Sequence, residues 1–142
     1  MEQIVEAVGC AAVSVEWRRP PEHPFPAPMD DCYAGPKWTH GNAAELGLDP
    51  GRIAIGGASS GGGSAAGLAL LARDRGEVPV CFQLLVYPML DGRNVTPASH
   101  AVTEPQVWNR QSNPIGWLSY VGHAAVTRTP MPTSCAVPAA RS

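Results

Sequence analysis

Apolar positions in the first nine residues fall on one helical face. In EQIVEAVG, residues 2–9, these are Ile4, Val5 and Val8, with Gly9 placed to close the helix. Residues 10–17, CAAVSVEW, are small or apolar until Glu16 and predict a strand. So little alternation suits a parallel sheet covered on both faces. Prolines at 20, 21, 24, 26 and 28 then predict an extended, irregular segment, because proline fixes φ and removes a donor. Pro28 with Asp30 and Asp31 marks a helix start, and the helix runs toward Leu46 and Gly47. Gly35-Pro36 and His40-Gly41 fall inside it. An interior proline costs about 3 kcal/mol and an interior glycine about 1, so a kink or break is expected.

Residues 48–51, LDPG, read as a turn, and 52–56, RIAIG, as a short strand with Ile53 and Ile55 alternating. The glycine-rich run 56–63 opens an Ala/Leu helix over 60–75, stopped by Gly76. Residues 80–87, VCFQLLVY, form another almost wholly apolar strand between Pro79 and Pro88. Beyond Asp91 the periodicity fades. One short helix from Pro114 is expected within 107–121, and residues 127–142 carry no apolar period. The division that follows is a domain over 1–126 and an irregular or disordered tail over 127–142. Helix and strand alternate throughout, which predicts an α/β fold with a parallel sheet, flanking helices and right-handed crossovers.

Composition narrows the partners. The 142 residues carry a formal net charge of −2, and no Lys/Arg cluster stands out, so no nucleic-acid or anionic-membrane surface is expected. No apolar run reaches the roughly 20 residues of a membrane span. Met1-Glu2-Gln3-Ile4 lacks the basic start of a secretory signal, which predicts a cytoplasmic protein. The four cysteines, at 10, 32, 81 and 135, show no C-x-x-C spacing, so neither a metal site nor a redox pair is expected. All four read as reduced and structural, with Cys10 and Cys81 as small buried hydrophobes of their strands.

The chemistry concentrates at Gly57-Ala58-Ser59-Ser60-Gly61, a G-x-S-x-G between a strand and a helix. So tight a turn forces its central residue into a strained backbone conformation. It demands small neighbours, here assigned to Gly57 and Gly61, and lifts the Ser59 hydroxyl above the strand ends. The Ser60 backbone N–H, at the positive end of the helix, is then placed to bind an oxyanion. Two other readings stay open at this point. The serines could merely cap the helix, or Gly61-Gly62-Gly63-Ser64-Ala65-Ala66 could cradle a nucleotide, with Glu77 toward a ribose. Against the nucleotide, these glycines sit inside the helix start and no P-loop lysine follows.

Three blocks extend the motif: 13–38 with its proline-rich centre, 47–76 around Ser59, and FQLLVYPMLD over 82–91. Together they resemble the hormone-sensitive-lipase-like branch of the α/β-hydrolases, serine carboxylesterases and lipases, over about residues 4–121. The resemblance implies a carboxylic ester hydrolase acting on small esters, with Ser59 as nucleophile and no cofactor or metal. It implies structural roles for Glu22-His23-Pro24 and Asp30-Asp31, tying the proline loop to the sheet, and makes Asp91 a loop residue. It also implies a partial fold, truncated at both ends, without the His-Gly-Gly-Gly oxyanion loop and the triad Asp and His. Among the local histidines, His23, His40, His100 and His123, the last suits the chain order nucleophile-then-base. Impaired activity is therefore expected. The alternative is a non-catalytic remnant that acts, if at all, by self-association through exposed sheet edges or by binding a partner chain.

Overall fold

The computed structural model describes residues 2–122, so the tail 127–142, Cys135 and His123 lie outside the described residues. In chain order the elements are α1 (Glu2–Val8), α2 (Ala27–Gly41), β1 (Ile53–Ala58), α3 (Ser60–Arg75), β2 (Val80–Val86), α4 (Pro97–Ala101) and α5 (Ser112–Val121). β1 and β2 pair in parallel, joined by α3 as the crossover. The α/β expectation is thereby met. The register runs from Ile53 opposite Val80 to Ala58 opposite Val86, with one shift between Ile53 and Ala54. That shift leaves Cys81 as the extra residue of a bulge.

The alternation of β1 decides which face is covered. Ile55 is buried and joins Met29, Tyr33, Leu68, Leu71 and Ala72 in the core between sheet, α2 and α3. Small residues in the first turns of α3 let the helix sit close to the strands: Gly62, Gly63, Ser64, Ala65 and Gly67 are all buried. The helix stops at Gly76, whose φ of 64° lets its N–H reach the Ala72 carbonyl at 2.9 Å. Across the helices, the Tyr33 hydroxyl donates to Glu77 at 2.9 Å, and the Arg75 guanidinium stacks on the same ring at 4.4 Å.

Three expectations need correction. Residues 10–17 form no strand: they are mostly exposed, with Val15 packed against Gly35 of α2. A strand is made by its neighbours' hydrogen bonds, and the described sheet consists of β1 and β2 alone. Cys10 and Cys81 are exposed rather than buried, the first because its strand does not form, the second because it bulges. α2 runs through Pro36 without a break and ends at Gly41, short of Leu46. Pro36 removes only the bond to the Cys32 carbonyl, while burial of Pro28, Met29 and Tyr33 holds the helix from its first turns. Asn42 then closes it, with backbone and side-chain N–H groups both on the Trp38 carbonyl.

The last helix and the proline segment hold each other. The Phe25 N–H donates to the Tyr120 carbonyl, and Trp117, 5% exposed, meets the Tyr120 ring edge-on at 6.0 Å. Helix α5 starts at Ser112 rather than Pro114, because the Asn109 side chain accepts from the Gln111 and Ser112 N–H groups. The short α4 went unread in the sequence. Its signal was local: Thr96 caps the Ser99 N–H, with Pro97 in the first turn.

The proline segment is also tied to α2 by Arg18, which grips Asp31 through Nε and Nη2 at 2.8 Å while its backbone N–H donates to the same carboxylate. These hydrogen bonds hold the Asp31 carboxyl down to about 2. A depressed carboxyl contributes stability above its unfolded range, near 3.8, and loses it as pH falls toward the folded value. Urea midpoints should therefore drop between about pH 4 and pH 2, and Asp31→Asn should flatten that part of the profile. An unchanged profile in the variant would show that the pair contributes nothing.

Candidate active site

The site is the junction of β1 and α3. Ser59 has φ 55° and ψ −121°, a strained conformation for a non-glycine residue. Three backbone hydrogen bonds hold it there. The Ser59 N–H donates to the Val86 carbonyl at 3.0 Å, and the Ser59 carbonyl accepts from Met89 N–H at 3.0 Å and Gly63 N–H at 3.1 Å. The exit of β2 thus clamps the serine from both sides, and its side chain is left exposed. Ser59 occupies the cap position of α3 without making a side-chain cap bond, so the capping reading does not hold. The Ser60 N–H, first of the helix, has no hydrogen-bond partner among the described residues and points from the positive helix end.

The glycines divide differently from the motif. A Cβ at Gly57 would collide with the Gly61 carbonyl, so smallness is required there. At Gly61 a Cβ would meet nothing within 4 Å, and the crowding expected at Gly61 belongs to its neighbours. A Cβ at Gly62 would lie 3.0 Å from the Gly57 oxygen and 3.1 Å from Pro88 Cα, and one at Gly63 would strike the Met89 carbonyl. The reason is rotational. Gly61 faces away from the strands, whereas Gly62 and Gly63 face the chain leaving β2. These contacts make Gly62 and Gly63 packing residues of the helix against the exit of β2.

None of the described histidines is hydrogen-bonded to the Ser59 hydroxyl. His23 lies in the proline segment and His40 in the last turn of α2. His100 on α4 spends both ring nitrogens elsewhere, on the Asn94 carbonyl and on Arg110, each at 3.0 Å. Asp91 is gripped by Arg93 at 2.6–3.0 Å, and those hydrogen bonds hold its carboxyl below the usual range. It is a loop carboxylate engaged locally. Of Glu22, His23, Asp30 and Asp31, Asp31 alone makes a side-chain hydrogen bond among the described residues, and it ties the loop to α2 rather than to the sheet. No cluster of three or more metal-binding side chains occurs among the described residues.

Sequence comparison covers this geometry almost from end to end. Residues 1–140 match the family described as alpha/beta hydrolase fold. The carboxylesterase NlhH of Mycobacterium tuberculosis is 56% identical over 84 residues, 58% of this chain and 26% of the relative. Among solved structures, a bacterial heroin esterase superposes with a TM-score of 0.75 at 46% identity, over 78% of this chain and 35% of that one. A hyperthermophilic esterase from the archaeon Pyrobaculum calidifontis reaches a TM-score of 0.81 at 33% identity, over 92% of this chain and 44% of its own. The chain thus spans about a quarter of the curated relative's length and under half of the structural ones. With that family matched over residues 1–140, the chain belongs to the α/β-hydrolase fold family, in its hormone-sensitive-lipase-like branch, as a partial copy of that fold.

Proposed function

We propose that the chain carries the nucleophile segment of a carboxylic ester hydrolase. Ser59 Oγ attacks the ester carbonyl, the Ser60 N–H binds the resulting oxyanion, the alcohol leaves, and water releases the acid from the acyl-serine. The observation that carries this reading is the backbone of Ser59, held strained with its side chain exposed beside a helix N–H that has no partner among the described residues. The Oγ proton needs a base, and none of the described histidines is bonded to Ser59, so hydrolysis is proposed to be impaired; His123, after Ser59 in chain order, is the candidate base that faster turnover would reveal. No helix among the described residues is long and apolar enough to cross a membrane, and small esters are proposed to reach Ser59 directly from solvent.

The test is intact-mass analysis after exposure to a fluorophosphonate. One slow, stoichiometric adduct per chain is expected, absent in Ser59→Ala. A folded sample that takes no adduct, or a Ser59→Ala variant that still does, would overturn the assignment.

A second observation favours self-association. Phe82 and Leu84, on the sheet face opposite α3, are 59% and 43% exposed, and neither described strand has a second partner. Apolar parallel sheets are ordinarily covered on both faces. Size-exclusion chromatography should show a species larger than the monomer whose share grows with concentration, and Phe82→Lys should reduce it. A monomer at every concentration would refute this.

A further inference from the structure

Two described residues next to each other in space share an unusual backbone. Ser59 and Tyr87 each follow the last residue of a strand, and those last residues, Ala58 and Val86, are register partners. Both are non-glycine residues with positive φ, 55° for Ser59 and 37° for Tyr87. A bulky side chain rarely adopts this region. The conformation is doubly unexpected at Tyr87, because a residue before proline is ordinarily extended, and Pro88 follows. Packing does not explain it either: the Tyr87 side chain is 75% exposed and makes no hydrogen bond among the described residues. Strain that burial does not offset is the pattern expected of a residue placed for a ligand.

What the strained turn achieves is visible in the backbone. The Val86 carbonyl, just before Tyr87, accepts from Ser59, and the Met89 N–H, two residues after, donates to Ser59. Glycine or asparagine would make the same turn at lower cost, so the turn alone does not call for tyrosine. The ring is what the substitution would remove. We propose that Tyr87 is a specificity residue of the Ser59 site, offering an exposed aromatic face at the nucleophile to the flat apolar group of an aryl ester. This rests on the reading of Ser59 as nucleophile, and the experiment separates the two.

The experiment has two arms. In the first, the Ser59→Ala chain is titrated with phenyl acetate, followed by the amide NMR shifts of residues 57–63 and 86–89. Adding Tyr87→Asn should weaken binding by on the order of fivefold, the size of one aromatic contact, while Tyr87→Phe should leave it unchanged. In the second, chains with Ser59 intact are labelled with phenyl-bearing and short-alkyl fluorophosphonates. Tyr87→Asn should slow the phenyl probe relative to the alkyl one, and Tyr87→Phe should restore the ratio. Urea unfolding should show Tyr87→Asn at least as stable as the parent, which removes misfolding as an explanation. Tyr87-dependent binding without labelling would overturn the nucleophile and leave the specificity residue. Labelling that ignores Tyr87 would do the reverse, and neither binding nor labelling would overturn both.

Discussion

Gly57→Ala should unfold at a much lower urea concentration than the parent chain, whereas Gly61→Ala should match or slightly exceed it. The two glycines hold equivalent places in the motif, so the contrast is a test of geometry. A methyl group at Gly57 has nowhere to go, because the carbonyl it would strike belongs to the helix that must start there. Either the strand withdraws or the elbow opens. Overpacking of this kind typically costs 1–3 kcal/mol and occasionally more, and a rigid backbone partner puts this case at the upper end, about 3 kcal/mol. Gly61 has open space and ordinary φ. Alanine there restricts the unfolded chain and favours helix, a gain of up to about 1 kcal/mol. Gly63→Ala should resemble Gly57→Ala, since its Cβ would strike the carbonyl of Met89, the residue whose N–H donates to Ser59. Equal effects at positions 57 and 61 would show that the motif, and not the contacts, sets the cost.

Turnover of a soluble aryl ester by this chain should stay within about tenfold of background, even with Ser59 expected to take up a covalent probe. Serine hydrolases that lose a triad member keep roughly 10³–10⁴-fold acceleration from the oxyanion hole and binding. Loss of one oxyanion donor removes about 10²–10³ of that. The described residues offer the Ser60 N–H alone as the proposed donor, and no histidine bonded to Ser59. About tenfold remains. A suicide probe accumulates however slowly it reacts, while turnover needs a base both to form and to hydrolyse the acyl-serine. The two measurements therefore diverge. Steady hydrolysis well above background, lost in both Ser59→Ala and His123→Ala, would refute the expected low turnover and establish His123 as the base.

The predicted strand, turn and helix around Ser59 and the observed ones agree because the information is local. A strand, a short glycine-bracketed turn and an Ala/Leu helix occupy 23 consecutive residues, 53–75, and each is set by propensity, capping and period within that window. The helix stop at Gly76 and the helix over Glu2–Val8 were legible for the same reason. So was α5 in outline, since the Asn109 cap that moved its start is itself a local signal.

What the sequence could not determine depended on neighbours distant in the chain. Residues 10–17 have strand composition, yet strands exist through hydrogen bonds to partners, and none of the described strands lies beside them. Pro36 looked like a break, yet tertiary burial of Met29 and Tyr33 outweighed one lost helix bond. Which glycines are crowded depended on where the chain leaving β2 passes, some 25 residues beyond the motif, with Met89 against Gly63 and Pro88 against Gly62. The left-handed backbone of Tyr87 runs against its own local preference before a proline. From its sequence alone, then, the molecule determined an α/β order and a serine at the head of a helix. Only the tertiary structure decided what clamps that serine and which small residues it requires, because each is a contact between segments that sequence separation keeps apart.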